Sequence, residues 1–269
     1  MLEDFHKIDP QEKKKLSQVM KVFMDMSDYY PDLKIIAIGA VDTPRQVIEY
    51  DQEMRNRVSE IYVPLMTDEE LIRIPDKGEE LLNFAIPPDV KYNIVSFSNG
   101  LASVCHQLCL NICFTTGIYE TLHHHQRVRK ADLDRALESY LDNASDTLKN
   151  AFYKAIRRNK TKRFDNGKLI LWALMKCDQE GATHAEILTR IREVEPEYPA
   201  RNLTSYIKQL QMKERGAVIR YETASRKYSF SDPVYCAFTR VAFGKEASGQ
   251  KTFNEIIKDI MHQLRSASS

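Results

Sequence analysis

Apolar positions along this chain recur mostly at helical spacing, interrupted by a few short runs that read as strands. Residues 11–29 place Leu16, Val19, Met20, Phe23 and Met24 on one side and Lys13, Lys14 and Lys15 on the other, which predicts an amphipathic helix. Tyr30-Pro31-Asp32 breaks it ahead of the apolar run Lys34 to Val41. That run is apolar at successive positions, as in a strand of a parallel sheet covered on both faces. Thr43-Pro44 opens a short helix to about residue 50, and Ile61-Tyr62-Val63-Pro64 reads as a second short strand.

From residue 67 the pattern turns helical. Thr67 with Glu70 forms a capping box for a helix over 68–83, which Pro75 should kink or divide. Pro87-Pro88 starts another helix, Ser98-Asn99-Gly100 is a turn into an apolar helix over 101–115, and a helical pair covers about 130–158. A basic segment, Lys154 to Arg163, and Asp165-Asn166-Gly167 mark a domain boundary. Beyond it come a helix at 168–178, a capping box of Thr183 and Glu186 for a helix at 184–193, and a helix from Pro199 over 200–214, stopped by Gly216. Strands at 218–221 and 227–230 flank a hairpin turn. A last amphipathic helix lies at 252–264, preceded by a loop from Gly244.

The composition bears on this picture in four respects. Charged residues are 29% and the aliphatic and aromatic set 43%, an ordinary globular balance. No apolar stretch approaches the roughly 20 residues that cross a bilayer, and there is no signal-peptide pattern, so the expectation is a cytoplasmic protein without a membrane partner. Five cysteines with no paired framework read as reduced thiols; Cys105, Cys109 and Cys113 share one helix face as core thiols rather than metal ligands. Net charge is +1, yet residues 151–230 hold 17 Lys/Arg against 9 Asp/Glu, so any polyanion contact belongs to the C-terminal half.

The order of elements carries a resemblance. Leu2-Glu3-Asp4-Phe5-His6 reads as the acidic end of a strand, followed by the strand ending at Asp42-Thr43, then Met54-Arg55-Asn56-Arg57-Val58 and the run of helices. This resembles an AAA+ or STAND-type P-loop ATPase from the Walker B strand onward. The resemblance implies an α/β remnant of a P-loop core (an incomplete parallel sheet) at 1–66 and a helical lid at 67–158. A winged-helix domain at 164–243 and a C-terminal helix at 244–269 complete a predominantly helical chain. The Gly-rich phosphate loop is not found in these residues. Gly244 to Thr252 comes near the pattern, but Gln250 puts Lys251 out of register.

By the resemblance, Glu3 holds Mg²⁺ through water and Asp4 orients the attacking water, in the reverse of the common Asp-Glu order. Asp42 is the polar sensor, with Thr43 a candidate for the same task. Arg57 is the arginine finger offered to a neighbouring subunit, with Arg55 in reserve. Gly100 and Ser103 occupy the lid turn that faces the nucleotide, with serine where AAA+ lids often carry arginine. ATP and Mg²⁺ are the cofactors implied for a complete protein, and none for this chain alone; the implied partners are further copies of itself or a complementing ATPase half.

For nucleic acid, Arg201, Asn202, Ser205 and Lys208 lie on the helix at 200–214, where a winged helix reads the major groove of double-stranded DNA. Arg220, Arg226 and Lys227 on the hairpin could hold phosphates. Two alternatives remain open: a non-enzymatic winged-helix regulator, and a protein-interaction adaptor whose basic helix meets an acidic partner.

Overall fold

A computed structural model describes residues 2, 8–39, 58–59, 61–157, 163–178, 180–223 and 225–247. It divides into two compact units, Met1–Pro64 and Leu65–Ser269. The described residues are predominantly helical.

In the first unit, helix α1 (Pro10–Asp25) starts at Asp9, whose carboxylate accepts from the Gln11 N–H at 2.9 Å, with Pro10 where its missing N–H costs nothing. Met20 is buried and Leu16 and Met24 are half-buried against Leu2, Ile8, Ile35, Ala37 and Val58. The expected stripe is narrower than the sequence suggests: Val19 and Phe23 are exposed, while Lys13, assigned to the polar side, is buried. The expected strand over 34–41 is reduced, among the described residues, to one parallel bridge between Leu2 and Ala37. Its hydrogen bonds are Leu2 N–H to Ile36 O at 2.8 Å and Ile38 N–H to Leu2 O at 2.7 Å. One face is covered; Ile36 and Ile38 are exposed. The run 61–64 forms no ladder, and Ile61, Tyr62 and Val63 are more than 80% exposed. A strand needs a partner for its N–H and C=O groups, and none is paired with this run among the described residues.

In the second unit, the capping box of Thr67 and Glu70 forms in both directions, at 2.9 and 3.3 Å. The expected helix divides into α2 (Asp68–Leu71) and α3 (Arg73–Leu82). The break precedes Pro75, which thereby lies in the first turn of α3, where a backbone N–H has no intrahelical acceptor. Next come α4 (Pro88–Ser98), α5 (Ala102–Thr116), α6 (Lys130–Asn143) and α7 (Asp146–Ile156). Two-residue strands that the sequence does not announce, β1 (Phe84–Ala85) and β2 (Gln126–Arg127), pair in parallel and tie α3 to the start of α6.

After the boundary come α8 (Asn166–Met175), α9 (His184–Val194) and α10 (Ala200–Leu210). The last is shorter than expected, passing into a 3₁₀ turn at Lys213–Arg215. Gly216 then stops the chain at φ 87°, and a Cβ there would stand 2.3 Å from the Ala151 carbonyl oxygen. Strands β3 (Ile219–Glu222) and β4 (Lys227–Phe230) form an antiparallel hairpin. Helix α11 (Pro233–Ala247) was not expected, and it extends over Gly244 to Ala247, which the sequence reads as loop. Asp232 opens it by accepting from the Val234 N–H at 2.9 Å.

Helix α11 packs against α4, α6, α7, α8 and β4. Phe238, fully buried, meets Phe152 edge-on at 5.0 Å and Tyr140 at 6.5 Å. The segments read as lid and as winged helix therefore share one apolar core, from Leu71 to Phe243.

Two buried tyrosines give this core a pH dependence. Burial pushes the Tyr140 hydroxyl up to about 12, and burial, with Tyr206 nearby, pushes Tyr198 up as well. Unfolded tyrosines ionise near pH 10, so above that the unfolded chain binds fewer protons than the folded one and stability falls as pH rises. Urea unfolding at about pH 9 and about pH 11 should show the loss; equal midpoints would contradict it.

Candidate nucleic-acid interface

The unit formed by α8, α9, α10 and the hairpin is set from α8 outward. Asp165 caps α8, accepting from the Lys168 N–H at 3.4 Å. Asn166, buried in its first turn, accepts a hydrogen bond from the Tyr198 hydroxyl at 2.7 Å. Tyr198 in turn stacks edge-on to Phe164 at 5.3 Å. This buried pair fixes the α9–α10 turn, so Pro199 opens α10 at a defined place. Thr183 and Glu186 form the expected capping box on α9.

Ala182, just before α9, bonds to Tyr228 of β4 in both directions, at 2.8 and 2.7 Å. It adds a one-residue third edge to the hairpin, in the spatial order Ala182, β4, β3.

Helix α10 buries Leu203, Ile207 and Leu210. At 3.6 residues per turn, Arg201, Thr204, Ser205 and Lys208 fall within an arc of about 100° on the opposite side. All four are exposed, and Asn202 lies half-buried at the flank. His184, at the start of α9, shares a hydrogen bond with Thr204 at 3.0 Å, so the first turn of α9 adjoins this face. Thr204 and His184 did not stand out in the sequence. The signal for Thr204 was its place in the i, i+3, i+4, i+7 pattern from Arg201; His184 had none.

The hairpin cations are arranged differently. Arg220 donates through Nε to Ser229 Oγ at 3.0 Å, and Lys227 pairs with Glu180 at 3.1 Å. Arg226 is exposed in the turn with φ 57°, a left-handed conformation uncommon for a residue with a side chain. Across the strands Tyr221 and Tyr228 place their rings 4.8 Å apart, with Tyr221 exposed. Of the basic segment before α8, Arg163 pairs with Glu197, while Lys154 and Arg157 offer their carbonyl oxygens to Arg215 at 3.1 and 2.7 Å.

The residues assigned to nucleotide chemistry divide in two. Glu3, Asp4, Asp42, Thr43, Arg55 and Arg57 lie outside the described residues. Gly100, buried with φ 79°, lies in the turn between α4 and α5, and Ser103, exposed, lies in the first turn of α5. Cys105 and Cys113 are buried on one face of α5, with Cys109 half-buried between them. Among the described residues no three His, Cys, Asp or Glu side chains are grouped to hold a metal ion, and no helix is long and apolar enough to cross a membrane. No protein-family profile, curated protein or solved structure matches the chain.

Proposed function

We propose that this chain is part of an AAA+/STAND-like nucleotide-dependent switch whose winged helix contacts double-stranded DNA through α10. The observation that carries the DNA reading is the two-way Ala182–Tyr228 bridge. With it, the order α8, α9, α10 and hairpin and the strand order Ala182, β4, β3 support a winged-helix reading in which α10 takes the recognition position. Arg201, Thr204, Ser205 and Lys208 are then the groove-facing set, and Arg226 at the hairpin turn is the wing's phosphate contact. No carboxylate side chain lies within α10 to oppose them.

The ATPase part of the proposal rests on the resemblance and on the Leu2–Ala37 bridge. Parallel pairing there supports neighbouring strands that run in one direction, as an acidic strand and a sensor strand must if their ends are to meet one nucleotide. In this reading Glu3, Asp4, Asp42 and Arg57 act on ATP and Mg²⁺ only when a phosphate-loop segment is supplied. Supplying such a segment should yield hydrolysis that Asp4→Asn abolishes.

DNA binding is tested on the full chain by titrating labelled duplex at several salt concentrations. Affinity should fall steeply with salt, and Arg201→Gln and Lys208→Gln should each flatten the log–log slope by about 1. Salt-independent binding, or variants that match the parent, would defeat the reading. One observation favours a protein-contact module instead: Arg220 and Lys227 are already engaged with Ser229 and Glu180. An adaptor would leave DNA unbound while retaining a contact to an acidic partner that Lys208→Gln weakens.

A further inference from the structure

A cavity of about 420 Å³ opens where α4, α8 and α11 meet, away from the exposed face of α10. Its walls are aromatic, made by Phe97 of α4, Trp172 of α8 and Phe243 of α11, with Met175 beside them. Arg240 from α11 and Lys176 from the end of α8 complete the lining. The volume falls in the range of small-molecule sites, about 300–1,000 Å³, and so does the mixture of flat apolar walls with a few charged groups.

Arg240 is the telling residue. Its Nη1 donates to the Ser96 carbonyl oxygen at 3.2 Å, and the Cys236 thiol lies beside the same side chain. Among the described residues no carboxylate pairs with this guanidinium. A charge that is partly removed from water is ordinarily paired with one of opposite sign. The cavity is thus lined by a guanidinium without a carboxylate partner, beside rings whose faces suit another ring. Lys176 is exposed at its rim and adds charge of the same sign.

Glycine at position 244 is part of the cavity's shape. A Cβ there would stand 2.5 Å from the Phe97 ring, so the ring rests against the α11 backbone where any side chain would displace it. The close approach lets a wall of α4 and a wall of α11 stand against each other without filling the space between them.

We propose that this cavity binds a small aromatic carboxylate, its ring held among Trp172, Phe97 and Phe243 and its carboxylate on Arg240. A carboxylate is the acceptor whose two oxygens match a guanidinium edge, and a planar ring is the shape that three aromatic walls exclude from water. A neutral ring would leave the guanidinium charge without a counter-ion. A hydrated inorganic anion would leave the aromatic walls wet. The site is independent of the DNA and nucleotide readings.

The test uses the full chain and a pair of probes of similar shape, 1-naphthoate and neutral 1-naphthalenemethanol. Calorimetry measures affinity, and the indole N–H resonance of Trp172, the single tryptophan of the chain, reports the place of binding. Naphthoate should bind saturably, move that resonance, and bind at least about tenfold tighter than the alcohol. Arg240→Met should abolish the preference. Because that change touches a half-buried residue, Lys176→Gln, at an exposed position, serves as a second variant and should weaken naphthoate about two- to fivefold with an unchanged melting temperature. Equal affinity for the two probes, or binding that leaves the Trp172 resonance in place, overturns the proposal.

Discussion

Replacing Phe238 with alanine is expected to destabilise the Leu65–Ser269 unit by about 3–5 kcal/mol, the range for deleting a large buried ring. The side chain is fully buried and meets Phe152 and Tyr140 at ring distances of 5.0 and 6.5 Å. It therefore loses both burial and edge-to-face contacts, and the surrounding helices cannot close the space without moving α11. Because α11 touches helices on both sides of the 158–163 boundary, the loss should be felt throughout the unit. Urea unfolding followed by far-ultraviolet circular dichroism and by Trp172 fluorescence should shift together. Two separated transitions would mean that the α4–α7 and α8–α10 segments are stable independently, contrary to the shared core.

The second large effect is expected at Gly181. It has φ 89°, and a Cβ would stand 2.3 Å from the Tyr228 carbonyl oxygen, the atom that accepts the Ala182 N–H. Gly181→Ala therefore sets a strained conformation against a backbone clash at the bridge itself, a combination worth at least about 2 kcal/mol. Amide exchange at Ala182 and Tyr228 should accelerate while that of Leu203 and Ile207 in α10 changes less. The same variant bears on the proposed function. If the bridge holds the hairpin in its place beside α9, DNA affinity should drop although no cation has been altered. Protection of both amides equal to that of the parent would refute the structural premise.

Local signals were legible because they need few residues. The two capping boxes close within four positions, and both form at the expected threonines. The polar face of α10 was legible for Arg201, Ser205 and Lys208 because three buried leucine and isoleucine positions define the other side. Helix α11 escaped because it has apolar residues around most of its circumference. Periodicity reports a contrast between two faces, and a helix packed against four others has little. The pairs β1 and β2 escaped because two residues are too short for any pattern, although they join segments some forty positions apart.

Assignments that rest on position alone fared differently from those that rest on packing. The hairpin is where its residues predict, but the roles of Arg220 and Lys227 depend on Ser229 and Glu180, one across the strand and one from before α9. Whether a cation is available to a ligand is settled by its neighbours in space. The exposed Ile61, Tyr62 and Val63 make the same point for strands, since an apolar run becomes a strand only when another segment supplies its hydrogen bonds.

By itself the sequence determined where most helices start, that they dominate, and which side of α10 carries its cations. These follow from backbone capping, from proline's missing N–H, and from the 3.6-residue period, all of which act within a few residues. Only the tertiary structure decided that α11 joins the two helical segments in one core. It alone placed Ala182 beside Tyr228, and it alone brought Phe97, Trp172 and Arg240 around a common cavity. Those arrangements depend on contacts between residues far apart in the chain, where the free energy comes from burial and pairing that no local pattern encodes.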